Sequence, residues 1–297
     1  MKIYPSKSWF LIAFMSIGLS LSGPCLAGSR DLFGGRKHSE TLSAPSLITE
    51  NYYGRDLLVY VPPNLPVKGA RALVIVLHGG LGNASRIESG VSENGLKMDE
   101  VADTNGFIVA YLNGTPVTRI FGADKLGWNA GGGCCGVPAE NDVNDVGYIT
   151  GAVNHLVGKY DVDPKRVFGM GHSNGGMMTV RLMCETGLYA AAISVSGPLN
   201  LKVGSCPAAR GKNILAIHGS EDQNVPLAGG QGTKGLSKAV FNSEEYTRKI
   251  FAASGADFHL LIVQGADHKL ANINNRIEKT EGVLLAQKAA RFFGLAK

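Results

Sequence analysis

Residues 166–175 read Arg166-Val167-Phe168-Gly169-Met170-Gly171-His172-Ser173-Asn174-Gly175, an apolar strand that runs through a Gly-x-Ser-x-Gly pentapeptide into a helix beginning near Asn174. A serine on so sharp a strand-to-helix turn needs a strained backbone conformation. Glycines two before and two after it remove the Cβ atoms that would collide there. The pattern predicts a serine hydroxyl pushed out at the carboxyl end of a sheet, which is the placement a nucleophile needs. The same five letters can also be an ordinary Gly/Ser-rich turn, so the surrounding strand and helix carry the reading.

Two later segments follow in the order nucleophile, acid, histidine. After the apolar run Asn213 to Ile217 comes His218-Gly219-Ser220-Glu221-Asp222-Gln223-Asn224-Val225-Pro226, with Asp222 the candidate acid. After the apolar run Phe258 to Val263 comes Gln264-Gly265-Ala266-Asp267-His268, with His268 the candidate base. A serine hydroxyl is a poor nucleophile at neutral pH, so an imidazole must take its proton during attack and later return one to the leaving group. A carboxylate fixes the imidazole's tautomer and stabilises the imidazolium. The developing oxyanion needs donors. The N–H of Asn174 is one, and the N–H of Gly80 or Leu81, in the loop Leu77-His78-Gly79-Gly80-Leu81-Gly82, is the other.

Each choice has competitors. Of the seven histidines, His155 falls on a helix, His259 inside a strand and His38 in the polar amino-terminal stretch. His78, His172 and His218 shape turns beside the site, and His172, next to the serine, is also a candidate for the substrate pocket. His268 alone follows the last strand in a loop. Asp222 competes with Glu221, read as solvent-facing, and with Asp267, too near His268 in sequence to reach its ring.

The segment from Ala72 to about His268 resembles the extracellular poly(3-hydroxybutyrate) depolymerase-like esterases, related to secreted feruloyl and acetylxylan esterases. The resemblance is carried by Leu77-His78-Gly79-Gly80, Trp128, Cys134-Cys135-Gly136, Asn144-Asp145-Val146-Gly147-Tyr148 and Val162-Asp163-Pro164-Lys165-Arg166-Val167. It continues through Gly171 to Met177, Arg181-Leu182-Met183-Cys184-Glu185, and His218 to Asp222 with Val225-Pro226. It implies an α/β-hydrolase fold and carboxylic ester hydrolysis by a serine esterase, with Ser173, Asp222 and His268 as the triad. Where that family commonly has a tryptophan and a proline after the histidine, this chain continues Lys269-Leu270-Ala271-Asn272, which removes an aromatic wall.

Composition agrees with an enzyme domain. The 297 residues are 44% hydrophobic and 18% charged, enough for one large α/β core. Residues 1–27 read as a secretory leader, with Lys2 and Lys7, an apolar run from Trp9 to Leu21 too short to span a bilayer, and cleavage expected after Ala27. Residues 28–45 read as a flexible mature terminus and 46–297 as the catalytic domain, secreted or periplasmic. With 28–297 taken up by the mature terminus and the catalytic fold, no separate polymer- or carbohydrate-binding module is expected. Without Lys2 and Lys7 the formal charge falls by two from +5, too little to argue for nucleic acid.

Cys134, Cys135, Cys184 and Cys206 remain, an even number that predicts disulfides with three possible connectivities. Cys184, ending a helix, and Cys206, in the loop before the next strand, are the favoured pair. Cys134 and Cys135 are adjacent and could bridge each other. Neither a metal nor another cofactor is expected, since Cys-x-x-Cys and His-x-x-x-His spacings are missing.

Strand and helix patterns alternate as a mostly parallel sheet with helices on both faces requires. Strands are expected at 56–61, 72–77, 107–111, 166–170, 190–195, 214–217 and 258–263. Helices are expected where Ile149, Val153, Leu156, Val157 and Tyr160 recur at helical spacing with Asp145 as cap, around 243–253, and at 281–293. Two Gly-rich insertions, 113–144 and 226–238, should border the site. Trp128 in the first is either a wall of the substrate pocket or the local anchor of its loop. A serine peptidase or amidase of the same fold is the alternative activity, and a non-catalytic binding protein would be expected to have lost a triad member. The substrate is a small, oligomeric or polysaccharide ester.

Overall fold

Eight strands form one sheet: β1 (Ser46–Tyr52), β2 (Arg55–Val61), β3 (Arg71–Leu77), β4 (Ile108–Leu112), β5 (Val162–His172), β6 (Ala191–Val195), β7 (Asn213–Gly219) and β8 (Asp257–Val263). Their order is β1-β2-β4-β3-β5-β6-β7-β8, antiparallel at β1/β2 and β2/β4 and parallel from β4 onward. The computed structural model describes residues 46–89, 95–118, 122–235 and 237–297. The expected leader at 1–27, with Cys25, and the terminus at 28–45, with His38, lie outside the described residues. Among the described residues no helix is long and apolar enough to cross a membrane.

The sheet buries both faces because its central strands are mostly apolar and buried over successive positions, and the two-residue period sends alternate side chains to opposite sides. In β3, Leu73, Ile75 and Leu77 join one core layer, while Ala72, Val74 and Val76 join the other. The first layer packs under α4 (Asp145–Lys159), α5 (Asn174–Thr186) and α6 (Glu244–Ala253), through Ile149, Val153, Met178, Leu182, Ile250 and Phe251. The second packs under α1 (Ala84–Glu88), α2 (Met98–Asn105), α7 (Leu270–Glu281) and α8 (Leu285–Phe292). A short α3 (Val137–Glu140) lies in the first insertion. Each buried Leu, Ile or Val contributes about 1.5–3 kcal/mol relative to exposure.

Several expectations shift. β1 was not expected, because Ser46–Tyr52 is an edge strand whose Leu47 and Ile48 face solvent and leave no apolar alternation. It pairs with β2 through Tyr53-Gly54, both at positive φ, the conformation of a two-residue type I′ hairpin turn. β5 begins at Val162, earlier than expected, pairing with Arg71 before the register shifts to Leu73 opposite Val167.

The helix expected at 281–293 is the shorter α8, Leu285–Phe292, and a second helix, α7, precedes it where none was expected. Gly282, at φ 70°, ends α7 by donating its N–H to Glu278 O, and the sparse Leu270, Ile273 and Ile277 make α7's buried stripe. Asn144, not Asp145, caps α4, accepting from Gly147 N. Asp145 instead pairs with Arg55 at 2.6 Å, buried beneath the first insertion. Cys184 and Cys206 are bonded, their Cα atoms 4.5 Å apart, tying the end of α5 to the loop before β7. Cys134 and Cys135 are bonded to each other.

Candidate active site

β5 ends at His172, and Ser173 turns the chain into α5 with φ 56° and ψ −124°, a conformation that non-glycine residues rarely adopt. The turn is held by Ser173 N donating to Val195 O at 2.7 Å and Met177 N to Ser173 O at 2.9 Å. It is also too crowded for side chains on either flank. A Cβ on Gly171 would lie 2.2 Å from Gly175 O, and one on Gly175 2.3 Å from Leu77 O.

The loops after β7 and β8 bring the acid and the histidine to this turn. Glu221 N donates to Ala266 O and Ser220 N to Val263 O, so the two loops are stitched together. His268 Nε2 is 2.8 Å from Ser173 Oγ, and its Nδ1 is 2.6 Å from Asp222 Oδ2. With Nδ1–H donating to the carboxylate, Nε2 is left to accept the serine proton. Asp222 is buried, and its Oδ1 accepts from Asn224 N and Val225 N, each at 2.9 Å. Burial alone would raise its pKa, but hydrogen bonds from His218 and His268 override that and hold it well below the usual carboxylate range. Glu221 is exposed. Asp267 accepts from Lys269 N and Asn272 Nδ2 rather than from the ring of His268.

The loop after β3 lies against the serine, for a Cβ added at Gly79 would sit 3.3 Å from Ser173 Cβ. Gly82 N donates to Gly79 O at 3.0 Å, closing a turn whose inner residues are Gly80 and Leu81, with Leu81 at φ 65° as a type II turn requires at that position. The N–H groups of those two residues are not used in closing the turn. Asn174 is the first residue of α5, so its N–H has no intrahelical acceptor either.

Two residues considered for the substrate pocket are placed elsewhere. Trp128 has no accessible surface. Its indole N–H donates to His78 O at 2.9 Å, and its backbone exchanges two hydrogen bonds with the Asn174 side chain, N to Oδ1 at 2.7 Å and O from Nδ2 at 3.0 Å. It is the loop's anchor and not a pocket wall. The same loop is held at Asn129, whose N donates to Asp145 Oδ2 and whose O accepts from Arg181 Nη1. His172 is buried and donates from Nε2 to His268 O at 2.8 Å, so it holds the base's loop instead of lining a pocket. Burial, with His268 nearby, pushes its pKa down to about 3, so it is neutral. His78 is neutral too, lowered to about 4 by burial.

The turn-shaping role expected of His218 understates it. Its ring is fully buried between two carboxylates, with Nδ1 2.8 Å from Glu244 Oε1 and Nε2 3.3 Å from Asp222 Oδ2. Glu244 was not singled out in the sequence, since an acid one residue after the Ser243 cap reads as a helix-dipole residue. Among the described residues no group of three or more His, Cys, Asp or Glu side chains could hold a metal ion.

The family model described as the prolyl oligopeptidase family matches residues 100–206. The chain is 31% identical over 180 residues to feruloyl esterase B of Piromyces equi, covering 59% of this chain and 31% of that protein. It is 32% identical over 168 residues to a putative esterase, NocK, of Nocardia uniformis subsp. tsuyamanensis, covering 56% and 44%. The chain thus spans less than half the length of these curated relatives. A solved acetyl xylan esterase from Aspergillus awamori superposes with a TM-score of 0.57 at 18% identity, over 84% of this chain and 100% of that one. By its strand order and by this structural likeness, the chain has the α/β-hydrolase fold.

Proposed function

We propose that this chain is an exported serine carboxylic ester hydrolase that works through an acyl-enzyme on feruloyl or acetyl esters of plant polysaccharides. The observation that carries the reading is the unbroken hydrogen-bond chain from Ser173 Oγ through His268 to Asp222 at the carboxyl end of the sheet. His268 takes the hydroxyl proton as Ser173 attacks the ester carbonyl, Asp222 stabilises the imidazolium, and the proton passes to the leaving alcohol. Water repeats the cycle on the acyl-serine. The tetrahedral oxyanion is received by the N–H of Asn174, at the positive end of α5, and by the N–H of Gly80 or Leu81, each worth on the order of 3 kcal/mol.

The substrate class follows the names of the relatives, and hydroxybutyrate oligomers stay in view through the motifs shared with depolymerase-like esterases. The prolyl oligopeptidase family match supports a second reading, a serine peptidase or amidase using the same triad. One panel separates them: p-nitrophenyl acetate and butyrate, methyl ferulate, acetylated xylan, hydroxybutyrate oligomers and aminoacyl p-nitroanilides, each with wild type and Ser173→Ala. We expect turnover of the esters, lost in Ser173→Ala while its melting curve is kept. Turnover of the anilides alone selects the peptidase reading, and ester turnover that survives in Ser173→Ala refutes the triad. Export is tested by the mature amino terminus, expected at Gly28; an intact Met1 in secreted or periplasmic material would refute it.

A further inference from the structure

We infer that His218, backed by Glu244, is a positioning residue that grips the acid of the proposed triad from the side opposite His268, so that one oxygen of Asp222 is shared between two imidazoles. The inference rests on the esterase reading above for its kinetic consequence, and on geometry alone for the protonation of His218. His218 Nδ1 faces Glu244 Oε1 at 2.8 Å, and Nε2 faces Val225 O at 2.9 Å and Asp222 Oδ2 at 3.3 Å. Every one of these partners is an acceptor. A neutral imidazole has a single N–H, so one ring nitrogen would aim a lone pair at a buried oxygen. The imidazolium donates from both and leaves no such conflict.

Glu244 explains how a cation is kept in a fully buried position. Its side chain is 1% exposed, its Oε1 meets His218, and its Oε2 has no hydrogen-bond partner among the described residues. It lies in the first turn of α6, where the helix dipole favours an anion. The titratable groups around His218 are Asp222 from the loop after β7 and Glu244 from α6, with His172 at the end of β5 and His268 beyond Asp222. Burial by itself disfavours the charge on His218, but the hydrogen bonds to Asp222 and Glu244 outweigh it and push its pKa up to about 10.

The consequence is kinetic. A general base must be neutral before it can act. The charge of Asp222 favours the protonated form of His268, and the His218 cation offsets part of that charge. His218 therefore lets His268 serve as base at lower pH than a lone Asp-His pair would.

The test is the pH profile of kcat/KM on the best ester of the panel for wild type and His218→Gln, which keeps a donor and removes the cation. We expect the acid limb to move up by about one pH unit, a loss of about tenfold well below the limb, with KM unchanged. A uniform loss at all pH values, with the limb in place, would mean that His218 merely staples α6 to the sheet and would overturn the inference. Where His218→Gln does not fold, the ring ¹⁵N spectrum of the wild-type protein decides: both nitrogens of His218 protonated from pH 6 to 8 is expected, and one bare nitrogen refutes it. That spectrum is read whether or not the protein hydrolyses esters, so failure of the esterase reading and failure of this inference are separate results.

Discussion

Replacing Asn174 with alanine should cost stability more than chemistry. The side chain is buried, and its amide is matched to the backbone of Trp128, Oδ1 accepting from N and Nδ2 donating to O. In Asn174→Ala, Trp128 O keeps its second donor, Cys135 N at 3.1 Å, but Trp128 N–H is left buried without an acceptor. An orphaned buried donor costs about 1–3 kcal/mol, and the vacated space adds to that. We expect about 2–3 kcal/mol in denaturant unfolding, or about 4–12 °C in Tm for a domain of this size. Asn174→Asp should be worse, because a carboxylate oxygen would replace Nδ2 opposite Trp128 O. The backbone N–H of residue 174 survives both changes, so kcat well below melting should fall by less than about tenfold, against the 10²–10³ that follows from deleting an oxyanion donor. If Asn174→Ala melts within 1 °C of wild type, or Asn174→Asp is as stable as wild type, the reciprocal bond does not anchor the insertion.

His268→Ala should be as inactive as Ser173→Ala, and the double variant hardly worse than either, because the groups act as a unit; additive losses in kcat would contradict a triad. Stability should fall from about pH 6.5 to about 10, since the unfolded chain releases the His218 proton near 6.5 while the folded chain keeps it to about 10, and His218→Gln should flatten that slope. Asp222 acts in the opposite sense: its contribution is present above about pH 4 and is lost as pH falls further, which acid unfolding of Asp222→Asn against wild type would show. Removing the Cys184–Cys206 bond, which spans 22 residues, should cost about 3 kcal/mol in the chain-entropy account, and equal stability of Cys184→Ala/Cys206→Ala would refute a stabilising role.

Much of the fold was legible in local pattern. Seven of the eight sheet strands stood out as apolar runs, most clearly β3, β4 and β6, where successive residues are apolar and buried on both faces. β1 did not, because an edge strand with solvent-facing Leu47 and Ile48 lacks that mark. α7 was missed for a related reason: three buried apolar residues among Asn, Lys, Arg and Glu make a weak stripe. Loop chemistry was harder still. Asp145 looks like a cap beside Asn144, and only the approach of Arg55, 90 positions away, makes it a buried ion-pair partner.

The sequence by itself determined the strained serine turn, the order Ser173, Asp222, His268 after three apolar runs, and the glycine loop beside them. These are properties of short segments, set by side-chain size, backbone freedom and the two-residue period of a strand. The tertiary structure decided what each neighbouring residue does. Trp128 became an anchor and not a wall, His172 a support for the base's loop 96 positions away, and His218 the link from Asp222 to Glu244 across 26 positions. Those roles depend on burial and on which donors meet which acceptors when loops and helices distant in sequence pack over one sheet edge. No window of sequence carries that information.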